Sequence, residues 1–312
     1  ICPACAIPPN NIYPNATITQ NLTHGTMYEY ALLRTHPTVL VNFGGSLDLR
    51  SGEARESTGK EMLNPKAGIM CEPINGTLIR LAAFRVMKRT LINNQTLEST
   101  QVGGFNQFFD DINGSTGWRY GAAVNQKLTQ GLYVGGEATL RDLSVPFVDS
   151  TDPSNPVVTR SGWQEYLIRG YAFWTPHDWI ALRTEYLYER TLRAPNLTAG
   201  VQSLETQRVP IGATFFHPSG FQASVTGTIV WQEGRFTGIP GLELGRAPQD
   251  GSSSFVTLDA GIGYRLPDRY GLLTIGATNI TNRKFSYFDT DFNNNFMLPV
   301  RMVFAKLTLA LP

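Results

Sequence analysis

The sequence predicts an all-β chain: a transmembrane antiparallel up-and-down β-barrel of about 14 strands, with 12 to 16 as its range. Three observations predict it. Long stretches alternate apolar and polar residues with a period of two, as a sheet with two unlike faces requires. Short turns and long polar loops follow one another by turns along the chain. Aromatic residues gather near strand ends rather than mid-strand, among them Trp118, Tyr120, Trp163, Trp174, Trp179, Tyr186, Tyr188, Trp231, Tyr264 and Tyr270. Amphipathic rings at strand ends suit the two interfaces of a bilayer.

Taken in order, residues 1–25 read as an N-terminal segment in which "NNIYPNATITQN", 10–21, supplies a first strand; residues 26–312 are the barrel. Strands at 26–34 and 39–50 meet at a short turn, Thr35–Thr38. The first barely alternates. The second sets Val39, Val41, Phe43, Leu47 and Leu49 against Asn42, Ser46, Asp48 and Arg50. Strands at 63–72 and 78–89 flank Pro73–Thr77, with Arg80 and Arg85 on opposite faces of the second. Strands at 117–128 and 132–147 flank Thr129–Gly131, and Leu132, Val134, Ala138 and Leu140 oppose Tyr133, Glu137, Thr139 and Arg141. Strands at 163–175 and 179–192 turn at Pro176–Asp178. Those at 204–217 and 221–236 turn at Pro218–Gly220, and Phe221, Ala223, Val225, Ile229 and Trp231 oppose Gln222, Ser224, Thr226 and Thr228. The strand at 253–267 shows the cleanest period, Val256, Leu258, Ala260, Ile262 and Tyr264 against Thr257, Asp259, Gly261, Gly263 and Arg265. After Pro267–Tyr270 come strands at 271–287 and 299–312. Long polar loops fall at 51–62, 90–116, 148–162, 193–203, 237–252 and 288–298. One trimmed rim and one elaborated rim match the short periplasmic turns and long external loops of outer-membrane barrels.

Composition bounds the function. With 312 residues and a net charge of +1, nothing argues for nucleic acid. No window of about 18 apolar residues occurs, so no transmembrane helix is expected, whereas a barrel strand needs only about 9–11 residues. The opening "ICPACAIPPNN" has neither the basic region nor the apolar run of a signal peptide. Cys2-x-x-Cys5 has no second pair and no nearby histidine, and Cys71 stands apart, so neither a disulfide framework nor a metal site is expected. "DTDFNNN", 289–295, has Asn294 and Val300 where a calcium loop needs glycine and glutamate. No cofactor is expected. No G-x-S-x-G, H-E-x-x-H or phosphate loop is present, and the expectation is a chain that is not an enzyme.

The polar face carries charges of both signs. Arg50, Lys66, Arg119, Glu137, Arg141, Arg169, Arg183, Glu185 and Arg265 are the candidates for lining a lumen and setting its selectivity through their field; the alternative is that they pair across strands and fill the barrel. The 90–116 loop is the longest. Phe105, Phe108, Phe109, Asp110 and Asp111 mark it as a candidate constriction or cap, with Gly103-Gly104 as its hinge.

Several segments resemble a known family. "MLNPKAGIMCEPINGTLIRLAAFR", 62–85, "VTLDAGIGYRLPDRYGLLTIGATNITNRKFSYFDTD", 256–291, and "RMVFAKLTLALP", 301–312, resemble strand pairs and the closing strand of TonB-dependent receptor barrels. The stretch 81–121 is similar to barrels of outer-membrane porins that carry tetratricopeptide repeats. The likeness covers most of residues 40–312 and is to the barrel alone, without plug or repeat domain. It implies a bacterial outer-membrane location, contact with outer-membrane lipid, a periplasmic or cell-surface protein partner, and a conduit for a polar solute or polymer. The alternative it leaves is a non-conducting mount for a surface, filament or electron-transfer partner.

Overall fold

The structure, a computed structural model, describes residues 22–52, 61–88, 99–107, 111–149, 157–195, 200–237, 249–267, 270–290 and 296–309. Among them no α-helix occurs. The strands are β1 (Leu22–His36), β2 (Val39–Gly52), β3 (Glu61–Cys71), β4 (Thr77–Met87), β5 (Gln101–Val102), β6 (Phe105–Asn106), β7 (Thr116–Lys127), β8 (Leu132–Asp149) and β9 (Val157–His177). They continue with β10 (Ile180–Arg193), β11 (Gly200–Phe216), β12 (Phe221–Thr237), β13 (Gln249–Arg265), β14 (Gly271–Thr278), β15 (Tyr287–Phe288), β16 (Phe296–Met297) and β17 (Met302–Leu309).

Thirteen strands form one antiparallel up-and-down sheet in the order β1-β2-β3-β4-β7-β8-β9-β10-β11-β12-β13-β14-β17. The small pairs β5-β6 and β15-β16 stand apart from it, inside the long connections β4–β7 and β14–β17. Among the described residues β1 pairs only with β2 and β17 only with β14, so no ladder joins the two edges. The expected first strand at 10–21 lies outside the described residues.

Strand lengths explain the membrane reading. β9 has 21 residues and β11, β12 and β13 have 17 each, far beyond the ~5–6 of soluble strands. The outer face of β12 is apolar from Phe221 through Val225 and Ile229 to Trp231, which is the ~9–11 residues that a spanning strand needs. Beyond Trp231 the same face turns charged, with Glu233 directly opposite both Glu205 and Ser252, and Arg190 opposite Glu205. Leu63 (63%), Ile211 (56%) and Ile262 (61%) stay exposed on that outer face. Such a surface is stable facing lipid and costly facing water. Aromatic contacts mark both ends of the apolar band: Trp179 on Phe215 and Phe221 on Tyr264 by the short turns, Trp118 stacked on Tyr120 toward the long loops.

One expected strand is corrected. The reading ran it through 271–287, but β14 stops at Thr278. Asn279 and Asn282 adopt φ of 48° and 52°, and the Asn279 side chain accepts from Arg283 N (3.0 Å) and donates to Arg283 O (2.8 Å). A short amide side chain that tolerates the left-handed region and bonds its own loop ends a strand. Asn279 therefore turns the chain rather than sitting within a ladder. The last strand likewise begins at Met302, not 299.

Candidate functional site

The inner face is defined by what folds onto it. Pairing register places Lys66, Phe84, Arg119, Arg141, Glu165 and Thr191 in one row across β3, β4, β7, β8, β9 and β10. Arg119 and Arg141 are thus direct neighbours of like charge. Their repulsion is offset by carboxylates: Arg141 donates to Glu165 (2.6 Å) and to Asp111 (2.5 Å). The next charged row holds Arg80, Ala123, Glu137 and Arg169. Ala123 is small enough for Arg80 to reach across β7 to Glu137, at 3.2 Å. Arg169 pairs with Glu185 (2.9 Å) and Arg208 with Glu189 (2.7 Å). The result is a ladder of ion pairs around the inner face. Each pair is partly buried, where attraction is screened less than at an open surface.

Two segments fold in from the long-loop rim. The first is the hairpin 101–106. Its Gly103 and Gly104 take φ of 55° and 79°, the two left-handed positions that a two-residue hairpin turn needs. Gly103 N donates to Asn42 Oδ1 (3.1 Å), and Gly104 O accepts from Arg80 (2.8 Å). Asn106 O accepts from Arg119 (3.1 Å). Phe105 is buried with Val102 against Ala82, Phe84 and Ala123, and the Arg80 guanidinium lies 5.0 Å from its ring centre. The second segment is 285–290. Phe285 stacks on Phe255 and Phe288 on Phe236. Gln232, only 1% exposed, accepts from Phe288 N (3.0 Å) and donates to Phe288 O (2.9 Å). Ser253 donates to Ser286 O (2.6 Å), and Arg193 to Thr290 O (2.7 Å) while stacking over Trp163 at 4.2 Å.

Under the second segment lies a cavity of about 400 Å³. Its wall is the β7–β11 inner face, with Arg119, Thr139, Arg141, Glu165, Glu189, Thr191 and Arg208; its roof is Tyr287 to Thr290. Burial raises the Tyr287 hydroxyl above the usual tyrosine range, so that group stays protonated and both donates and accepts. Among the described residues no group of three or more His, Cys, Asp or Glu is placed to hold a metal ion.

The residues singled out by sequence fall as follows. Lys66 is buried and donates to Tyr30 (2.7 Å). Arg119, Glu137, Arg141, Arg169 and Glu185 stand in the ladder. Arg183 reaches across β11 to Thr226 (3.1 Å), and Arg265 is exposed at the short-turn end of β13. The Arg50 side chain, and Phe108, Phe109 and Asp110, lie outside the described residues. Phe105 and Asp111 both contact the inner face. The reading missed Asn42, Arg193, Gln232, Tyr287 and Asp289. Val-Gly-Gly-Phe, 102–105, is a hairpin signal that points to the first segment; the second has no such signature.

No family model matches the chain, and no curated protein matches it. Solved structures do match in shape. The ferripyoverdine receptor of the Pseudomonas aeruginosa outer membrane, bound to ferripyoverdine, has a TM-score of 0.59 at 10% identity over 92% of this chain. P. aeruginosa FpvA bound to a heterologous pyoverdine gives 0.60 at 9% identity, and the FpvAI–pyocin S2 complex 0.59 at 10%. The fold is that of an outer-membrane β-barrel. This chain spans only 38% of the receptor's length. OmpT, an outer membrane protein of Vibrio cholerae, is covered over 97% of its length but at a TM-score of 0.37 and 7% identity. One expectation is overturned by these matches. The expectation was a chain that is not an enzyme, yet the receptor barrels matched lie at only 9% to 10% identity. At that distance the likeness is to a fold, a fold hosts unrelated chemistries, and the exclusion does not stand.

Proposed function

We propose that this barrel carries a polar solute across the bacterial outer membrane, and that the two inward segments gate its path. The observation that carries this reading is the inner face itself: a ladder of paired charges, two segments held on it mainly through side-chain bonds to their backbone, and a polar cavity under the second of them. Arg119, Arg141, Arg169, Arg183 and Glu137 set selectivity along that path. The test is single-channel recording of the purified chain in a planar bilayer. The expected result is brief openings whose ion selectivity moves toward cations in Arg141→Glu or Arg183→Glu. A chain that inserts with a β circular-dichroism signature and never conducts overturns the reading.

A second reading has its own support. Phe84 and Phe105 are buried and seal the hairpin onto β4 and β7, as a mount for a surface partner requires. On this reading the external loops hold that partner; FpvAI, similar in fold, forms a complex with pyocin S2. Capture of a surface protein by a non-conducting chain decides for it.

A further inference from the structure

The cavity under the inward segment 287–290 is built for one class of ligand. We propose that it binds a neutral polyhydroxylated molecule, a mono- or disaccharide, on Glu165, Glu189, Arg208, Thr139, Thr191 and Tyr287. At about 400 Å³ it lies within the ~300–1,000 Å³ of small-molecule sites. Four arginines border it; Arg190 belongs to the other face of β10, opposite Glu205, and the three on the inner face, Arg119, Arg141 and Arg208, stand against Glu165, Glu189 and Asp289, so the inner wall carries little net charge toward an ion. The charges are also engaged: Arg141 with Glu165 at 2.6 Å and Arg208 with Glu189 at 2.7 Å. A charged or zwitterionic ligand has to compete with these pairs for its counter-charge. A hydroxyl need not, because a guanidinium has five N–H donors and a carboxylate about four acceptor sites, and each pair uses few of them. Glu189 and Arg208 stay 44% and 35% exposed, open to that second partner. Thr139, Thr191 and Tyr287 add hydroxyls that donate and accept at once, and the Tyr287 ring supplies an apolar face for the C–H side of a sugar. Charge-assisted bonds to hydroxyls are the strong ones.

This site takes its physiological meaning from the conduit reading, but its binding is measured apart from conduction. The full chain is refolded in a detergent without a sugar headgroup and titrated calorimetrically with maltose, citrate and glycine betaine in turn. Maltose alone is expected to give saturable heat. Thr191→Val, which keeps side-chain shape, and Glu189→Gln are each expected to weaken it about tenfold, with circular dichroism matching the parent. Citrate or betaine binding as well as maltose, no heat from any probe, or unchanged maltose affinity in both variants overturns the proposal. A chain that binds maltose but never conducts sinks the conduit reading and leaves this one standing.

Discussion

Replacing Gln232 by leucine tests the hold on the inward segment 285–290. The side chain is 1% exposed and binds both polar groups of the Phe288 backbone, N at 3.0 Å and O at 2.9 Å. Leucine keeps similar bulk on β12 and removes both partners. Phe288 N–H and C=O then lose both bonds to that amide in a buried setting, each loss costing ~1–3 kcal/mol, so the segment loses about 2–6 kcal/mol of local stability. β12 itself keeps its ladder to β11 and β13. At ~1.4 kcal/mol per tenfold, opening of the segment rises at least about 30-fold. Hydrogen exchange with peptide readout over 280–290 measures this directly. Faster exchange there, with β12 and β13 unchanged, is the expected result. Unchanged protection at Tyr287 and Phe288 refutes the claim that Gln232 holds the segment, and exchange that accelerates throughout the sheet refutes the claim that the segment opens alone.

Three further outcomes follow from other parts of the sheet. A Cβ added at Gly68 sits 2.5 Å from Gly103 N, so Gly68→Ala pushes the hairpin off the inner face, costs about 1–3 kcal/mol and exposes Phe105, which protease nicking within 99–107 reads. Ile211, outward and 56% exposed, faces the apolar band; Ile211→Lys destabilises by about 2–4 kcal/mol in liposome-folding titrations, while the inner-face Thr228→Lys costs far less. The raised pKa of Tyr287 gives an alkaline signature. The unfolded chain ionises this group near pH ~10 and the folded chain resists, so the unfolded state binds fewer protons there and stability falls as pH climbs above about 10. Tyr287→Phe flattens that part of the stability curve, whereas an identical curve in the variant removes Tyr287 as its source.

The sheet was legible in the sequence because a two-residue period needs only neighbours to be seen. Val256 to Arg265 shows it, and β13 realises it, with Val256 on one face and Thr257 and Asp259 on the other. The same parity placed Arg119, Glu137, Arg141 and Arg169 on the inner face. Their partners were not legible, since pairing depends on register between strands far apart in sequence. Arg80 meets Glu137 only because Ala123 stands between them. Strand ends were misjudged where a side chain replaced a ladder: Asn279 bonds its own loop at positive φ, which an apolar-polar pattern does not encode. Gly103-Gly104 was read as a hinge, and the structure makes it a hairpin turn. Gln232 has no local mark at all, because its partner, Phe288, lies 56 residues along the chain.

The unequal strands give the wall an uneven height. Along its own axis β9, with 21 residues, runs about 70 Å, and β14, with 8, about 26 Å. The short turns bring all of them to one level on one side, so the difference accumulates on the other. There the described strands form a slanted parapet: tall along β8 to β13, where Glu205, Glu233 and Arg235 look outward above the apolar band, and low beside β14. On the conduit reading proposed above, the described strands offer an incoming solute a tall side at β8 to β13 and a low one at β14.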